Sequence, residues 1–349
     1  MNVAAPYRSP VRRREALLLG GAALALGACS RSGQGTGRRS TGGDPVTIMT
    51  TAGSFAVTMQ QLMRDQRFLE KQGLRPNFVS VADGTKVMGA LINGDADLCT
   101  ASGFGQVLPA IERGGPLKVL AGSEVLLLHL LYSSRPDIRS VGDLAGRTVG
   151  IGPIGALLHS ITVALLRKRN VDPDKVRFVN VGSSADVFRA VAAGVVDAGP
   201  SELDYEQLQS RYHVHGLADG RFWDALPEYT NQAAYAAEPA IRARREVLVR
   251  TLAAYANLYR YIAGGDSREA YVAARAAAVN KDEREEALAQ WNFFQQHPAF
   301  AVDLLLSEER VRYMQELNVS LGVQKSVLPY AQVADMSLAR EALKLIGGS

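Results

Sequence analysis

Cysteine is nearly missing from this chain. Cys29 and Cys99 are the only two in 349 residues, so no disulfide framework holds the fold together. Stability must come from packed cores, and a 47% hydrophobic composition over a length sufficient for two domains can supply them. An excess of either charge is lacking too. The chain holds 39 basic and 35 acidic residues, but Arg8, Arg12, Arg13, Arg14 and Glu15 precede Cys29, which leaves 35 and 34 beyond it. A chain so close to neutral has no electrostatic footprint for nucleic acid, despite an overall pI near 9.0. Long apolar runs are absent as well: Ala16 to Ala28 is too short to span a bilayer as a mature helix.

Chemistry-bearing patterns are equally thin. No GxSxG occurs, and no Ser, His and acid are placed for a triad. His213 and His215 have a strand-like i, i+2 spacing that could seed a metal site, yet no Cys/His cluster completes it, and a surface or inter-lobe strand is the simpler reading. Gly150 to Gly155 (GIGPIG) matches GxGxxG between a strand and a helix, but the next strand ends in Gly182-Ser183 and Asp172 and Asp174 precede it. A nucleotide site wants an acid at that strand end, so the glycines read as a tight turn. Cys99 lies in an apolar run, Asp97 to Ala101, and reads as a buried strand residue. Neither a cofactor nor a resident metal is expected.

What is present begins with a targeting pattern: Arg12 to Arg14, the apolar run, then small residues before a cysteine. Leu26 to Cys29 (LGAC) resembles the bacterial lipobox, which implies cleavage after residue 28 and lipid on Cys29. The arginines ahead of a weakly hydrophobic core resemble a twin-arginine export signal, although Glu15 and Ala16 depart from its strongest form, and export by Tat or Sec stays open. An ordinary signal peptide cut near Ala28, releasing a soluble protein, is the plainer alternative. Ser30 to Asp44 (SRSGQGTGRRSTGGD) has no periodicity and reads as a flexible tether of roughly 20 Å average reach.

From Val46 a β-α-β-α-β order follows: strand Val46 to Thr50, helix Val57 to Gln72, strand Pro76 to Val81, helix Thr85 to Asn93, strand Asp97 to Ala101. The same order returns about one hundred residues later, from strand Arg147 to Ile151 to strand Val196 to Gly199. Ala90 to Asp97 (ALINGDAD) and Ala190 to Asp197 (AVAAGVVD) share Ala, Gly and Asp at matching places. Each glycine suits a left-handed helix end before the next strand. Repetition of the whole unit predicts an α/β protein of two lobes, each a doubly wound sheet. The apolar β run Glu124 to Tyr132 carries the chain across, and Tyr229 to Tyr235 brings it back, making a hinge. Beyond Ile241 the pattern is helical, and these helices are expected on the first lobe. The expected organisation is a signal peptide over 1–28, lipidated Cys29 and tether over 29–44, lobe 1 over 45–130, lobe 2 over 131–228, and the return strand with lobe 1 helices over 229–349.

Ligands of open parallel sheets sit beyond the carboxyl ends of the strands, near helix N-termini. That rule selects six loops: Gly53-Ser54-Phe55, Asp83-Gly84-Thr85, Ser102-Gly103-Phe104, Gly152 to Ala156, Gly182-Ser183-Ser184 and Pro200-Ser201-Glu202. The candidate ligand contacts are Ser54, Phe55, Asp83, Ser102, Phe104, Gly155, Ser183, Ser184, Ser201 and Glu202. Each serine could equally cap a helix, the phenylalanines could be core residues, and Asp83 more naturally caps the helix after it. Glu202 is the carboxylate better placed for a ligand cation or N–H donor, while helix N-termini favour an anion. A small, polar, zwitterionic or planar solute is expected.

Phe68 to Leu74 (FLEKQGL), the Ala90 to Asp97 helix end and Ser140 to Gly150 (SVGDLAGRTVG) carry a likeness that runs from about Val46 to Asp204. In these segments the chain resembles the substrate-binding proteins of bacterial ABC importers of the sulfonate, nitrate and taurine class, which includes thiamine-pyrimidine binders. The resemblance implies a two-lobed periplasmic-binding-protein-like fold of type II that closes on a small solute. It further implies a monomer that delivers the solute to a permease and its ATPase, lipid-anchored on the outer face of the cytoplasmic membrane or in the periplasm. It implies a transport protein and not an enzyme; the pyrimidine synthases that share the fold carry a cysteine-rich motif absent here. A tethered solute sensor or interaction module without a transport role is the alternative.

Overall fold

The structure, a computed structural model, describes residues 42–347 except 52, 82 and 83. Cys29, the export signal, most of the tether and the candidate Asp83 lie outside the described residues. Ten strands form two five-stranded sheets. The first holds β1 (Asp44–Thr51), β2 (Leu74–Val81), β3 (Leu98–Ala101), β4 (Leu117–Gly122) and β10 (Ala233–Ala237) in the order β2-β1-β3-β10-β4. The second holds β5 (His129–Ser133), β6 (Thr148–Ile151), β7 (Arg177–Asn180), β8 (Ala198–Glu202) and β9 (His215–Arg221) in the order β7-β6-β8-β5-β9. Both sheets share one plan. The first three strands are parallel, and the next is an antiparallel strand that enters from the opposite lobe. This is an α/β protein with helices flanking both sheets.

The shared Ala, Gly and Asp of the two repeats perform the same work. At the first, Gly94 has φ +81° and the Asp95 N–H donates to Ala90 O at 2.9 Å. At the second, Gly194 has φ +68° and the Val195 N–H donates to Ala190 O at 2.9 Å. Glycine reaches this left-handed conformation without a Cβ clash, and the bond satisfies a carbonyl that the helix end would leave open. The aspartates then stitch the next strand to the first strand of their unit. The Thr47 N–H donates to Asp97 Oδ2 at 2.7 Å, and the Thr148 N–H to Asp197 Oδ2 at 2.9 Å. Each aspartate also pairs with an arginine, Asp97 with Arg244 at 2.5 Å and Asp197 with Arg135 at 3.1 Å.

One strand escapes sequence reading and another is met only at its start. β4 (LKVLAG) has no strict alternation, and β9 (HGLADGR) begins at His215, within the strand expected around His213 and His215, but its two glycines hide the rest. The helical segment beyond β10 packs on the first lobe as expected. Its long helix Glu238–Ala263 and the last helix Ser337–Leu345 lie against each other and against β4, and the helix Arg268–Val279 covers Ser54–Asp65. Two members reach further: Arg284–Gln296 meets the turn Leu203–Leu208 after β8, and Glu308–Ser320 meets the second-lobe helix Leu157–Lys168. Small differences fall at the seams. Asp44, expected to end the tether, already pairs in β1 opposite Leu74 and binds Arg250. The expected lobe division at 130/131 falls inside β5, all of whose residues pair with β8.

Candidate functional site

Chain direction decides which edges of the sheets face each other. β4 runs parallel to β3, since both are antiparallel to β10, so the chain leaves the first sheet at its carboxyl edge through Gly122. It enters the second sheet at His129, which pairs with Glu202 at the carboxyl end of β8. The way back is the mirror of this: β9 ends at Arg221 beside Leu130, and β10 starts at Ala233 opposite Gly122. Both crossings therefore join carboxyl edge to carboxyl edge, and the loops after β1, β3, β6, β7 and β8 open onto the space between.

The two crossings are bonded into one floor. The Gln232 N–H donates to Glu124 O at 2.9 Å, and the Ser123 N–H donates to Gln232 O at 3.2 Å. Asn231 Nδ2 donates to the Glu124 carboxylate, and Ser123 and Tyr259 share a hydroxyl hydrogen bond of 2.6 Å. A third segment braces the first crossing, with the Val125 N–H on Ala299 O at 2.7 Å and the Ala301 N–H on Ser123 O at 2.9 Å.

Carboxylates concentrate on this floor. Glu124 is 2% exposed, and burial pushes its carboxyl up to about 8 against the pull of Asn231, with the charges of Glu202 and Asp204 adding to the rise. Glu202, half-buried at the end of β8, is pushed up to about 7 by burial and by Asp204, with Arg275 opposing. Its carboxylate takes no hydrogen bond or ion pair among the described residues. Asp204 is 4% exposed and is also raised by burial, although Arg275 Nη2 lies 2.7 Å from its Oδ2. Burial works against the Arg275 guanidinium, but Asp204 keeps it protonated, and its Nε binds Glu283 at 2.9 Å. This pair ties the helix Arg268–Val279 to the turn following β8.

The candidate residues divide by what they touch. Glu202 stands on the floor with its carboxylate open. Ser54 opens the helix Ser54–Asp65 and is half-buried, its carbonyl accepting from Thr58. Phe55 is half-buried against Phe300, stacked at 6.2 Å, and Phe294, edge-on at 6.1 Å. Ser102 is 1% exposed, its hydroxyl close to Gly84, so the loops after β2 and β3 meet. Gly155 has φ +81°, and its N–H donates to His159 Nδ1 at 3.1 Å. Ser184 is half-buried, and its carbonyl accepts from the Ser201 hydroxyl at 2.8 Å.

Two expectations need correction, Phe104 and Ser201, and a third residue, Ser183, takes up the capping role that was its alternative. Phe104 is fully buried in the core with Val87 and Leu108, so it presents no wall to a ligand; its apolar ring gains more by packing than by lining water. Ser201 is fully buried and spends its hydroxyl on Ser184 O, which ties β8 to the helix beside it. Ser183 caps the helix Ser184–Ala192: its hydroxyl donates to Asp186 Oδ2 at 2.6 Å and its oxygen accepts the Asp186 N–H at 3.3 Å. That hydroxyl bond is the foremost reason the Asp186 carboxyl falls to about 2. His215 Nε2 lies 2.7 Å from Ile138 O at the start of β9, whereas His213 is exposed in a left-handed conformation at a helix end.

Sequence reasoning missed Glu124, Asp204, Asn231 and Arg275. Glu124 had a usable signal, a carboxylate just past Gly122, but β4 had to be recognised before that position counted as a strand end.

Two lobes joined by two crossings at facing carboxyl edges define a two-lobed periplasmic-binding-protein fold. The chain belongs to the NMT1/THI5 like family, whose model matches residues 62–265. Its fold is similar to the periplasmic aliphatic sulphonate binding protein SsuA from Escherichia coli, with TM-score 0.69 and 18% identity over 83% of this chain and 91% of that one. It is similar also to the alkanesulfonate-binding protein SsuA from Xanthomonas axonopodis pv. citri, solved bound to MOPS, with TM-score 0.67 and 18% identity over 85% and 99%. The desulfurization enzyme DSZB matches at TM-score 0.60 and 17% identity over 87% and 99%. At such identities the shared property is the fold. None of the curated proteins matches this chain in sequence.

Proposed function

We propose that the protein is the extracytoplasmic solute-binding lipoprotein of an ABC importer. It captures a small polar organic solute between its lobes, delivers it to a membrane permease and its ATPase, and acts as a monomer without turnover. The observation that carries this reading is the pair of crossings at facing carboxyl edges. A twist in two short segments moves one sheet's loops toward the other's, which is hinge closure around a ligand. Ser54, Phe55, Ser102, Gly155, Ser184 and Glu202 are the proposed contacts from the strand ends, with Glu124 and Asn231 beneath. The one described thiol does not suit a cysteine nucleophile: Cys99 is fully buried, and burial holds it up near 12, far from a reactive thiolate.

Lipid on Cys29 would hold this trap at the outer face of the membrane, and the residues after it would serve as a leash. The reading is tested by thermal-shift screening of sulfonates, amino-sulfonates, pyrimidines and aromatic carboxylates, followed by small-angle scattering with any hit. A solute at one hundred times its Kd stabilises the folded state by about 2.7 kcal/mol, and the radius of gyration should fall as the lobes close. Chemical conversion of the bound compound would reject the transport reading.

A further inference from the structure

The hinge floor holds more carboxyl groups than cations: Arg310 donates to Val125 O, Tyr229 O and the Thr230 hydroxyl across the two crossings, and His129 beside Glu202 keeps a buried Nδ1 without a partner. Glu124 gives one oxygen to Asn231 and meets no cation; Glu202 has neither hydrogen bond nor ion pair among the described residues. Asp204, in a side chain 6% exposed, spends Oδ2 on Arg275 while its Oδ1 is buried without any partner. Gln232, bonded through its backbone to Glu124, likewise has a buried Oε1 with no partner. Arg275 is the only lysine or arginine buried among the described residues, and its guanidinium is already divided between Asp204 and Glu283.

A buried acceptor without a donor loses its hydration and gains nothing for it, and an unpaired buried carboxylate loses most. The missing component is therefore rich in N–H donors and positively charged. We propose that this floor receives the cationic end of a small organic solute, an ammonium or amidinium group held between Glu124 and Glu202. The assignment rests on the solute-binding reading above and specifies its chemistry. A sulfonate or carboxylate facing the same floor would meet two acidic side chains, and the guanidinium on the crossings, Arg310, is already engaged by Val125 O, Tyr229 O and the Thr230 hydroxyl. Planar amidinium matches carboxylate geometry through paired N–H bonds, and ammonium supplies three donors. Glu202 lies on the second lobe and Glu124 on the crossing, so one bound cation would neutralise both and draw the second lobe toward the hinge.

The test uses the full chain and isothermal titration calorimetry at pH 8 with benzamidinium, phenethylammonium and agmatine, beside benzenesulfonate and benzoate of similar size. At least one cation should bind, and its Kd should weaken tenfold or more in Glu202→Gln and in Glu124→Gln. Both changes keep side-chain shape, and circular dichroism with thermal melts would verify that each variant folds. Equal affinity in wild type and both variants would overturn the assignment. Binding of an anion with none of the cations would also overturn it, while leaving solute capture standing. No binding by any of the five would overturn the cation assignment and, with no hit in the wider screen, solute capture as well.

Discussion

Ionising Glu124 within the floor should cost stability that an isosteric amide recovers. This carboxyl ordinarily titrates at 4.5 and stands at about 8 in the folded protein, foremost because of burial, with Asn231 opposing and Glu202 and Asp204 adding. A carboxyl whose folded value is raised keeps a proton that the unfolded chain has given up. Its contribution is full below about pH 4.5 and is lost as pH rises through about 8. Between pH 5.5 and 8.5 the wild-type protein should therefore lose about 3 kcal/mol from this group, at ~1.4 kcal/mol per pH unit over the affected span. Glu124→Gln has no such proton to lose, and its amide oxygen can still accept from Asn231. With an unfolding entropy of roughly 2.1 cal/mol/K per residue, a folded region of this size should show the difference as about 5 °C. Differential scanning calorimetry of ligand-free protein at both pH values measures it. The variant should melt near the wild type at pH 5.5 and about 5 °C above it at pH 8.5. A Tm difference that is the same at both pH values would refute the account, because the buried ionisation would then carry no weight.

Arg275→Met should cost about 3–5 kcal/mol in urea unfolding, since Asp204 would be left as an unpaired buried charge; adding Asp204→Asn should restore part of that loss, and strictly additive losses would contradict the pairing. Asp197→Ala removes the acceptor of the Thr148 N–H and the partner of Arg135, for an expected loss of about 2 kcal/mol, and Asp97→Ala should match it if the two repeats are equivalent. Cys29→Ser should yield folded protein in the soluble fraction that binds solute like the wild type; protein still sedimenting with membranes would show the anchor to be elsewhere.

Much of the fold was legible from sequence because its signals are local. Gly94 and Gly194 end helices in a conformation that favours glycine, and the spacing from each to Asp97 and Asp197 announces the same helix-to-strand passage twice. Apolar periodicity then separates strands from helices, and two copies of a five-element unit leave little choice but two sheets. Glu202 was legible for the same reason, as a carboxylate at the end of a strand whose course was already known.

The floor of the cleft was not legible. Glu124, Asn231, Asp204 and Arg275 are far apart in the chain, and what joins them is the direction in which β4, β5 and β10 run. The sequence by itself determined the repeated α/β units, the helical tail and the strand ends at which a ligand could be met. Only the tertiary structure decided that Phe104 and Ser201 are spent on packing and internal bonding, and that three carboxylates share a floor whose arginines, Arg275 and Arg310, are already engaged. The physical reason is range: helix ends and strand patterns are set by neighbours in the chain, whereas burial and charge compensation are set by residues brought together across a sheet edge.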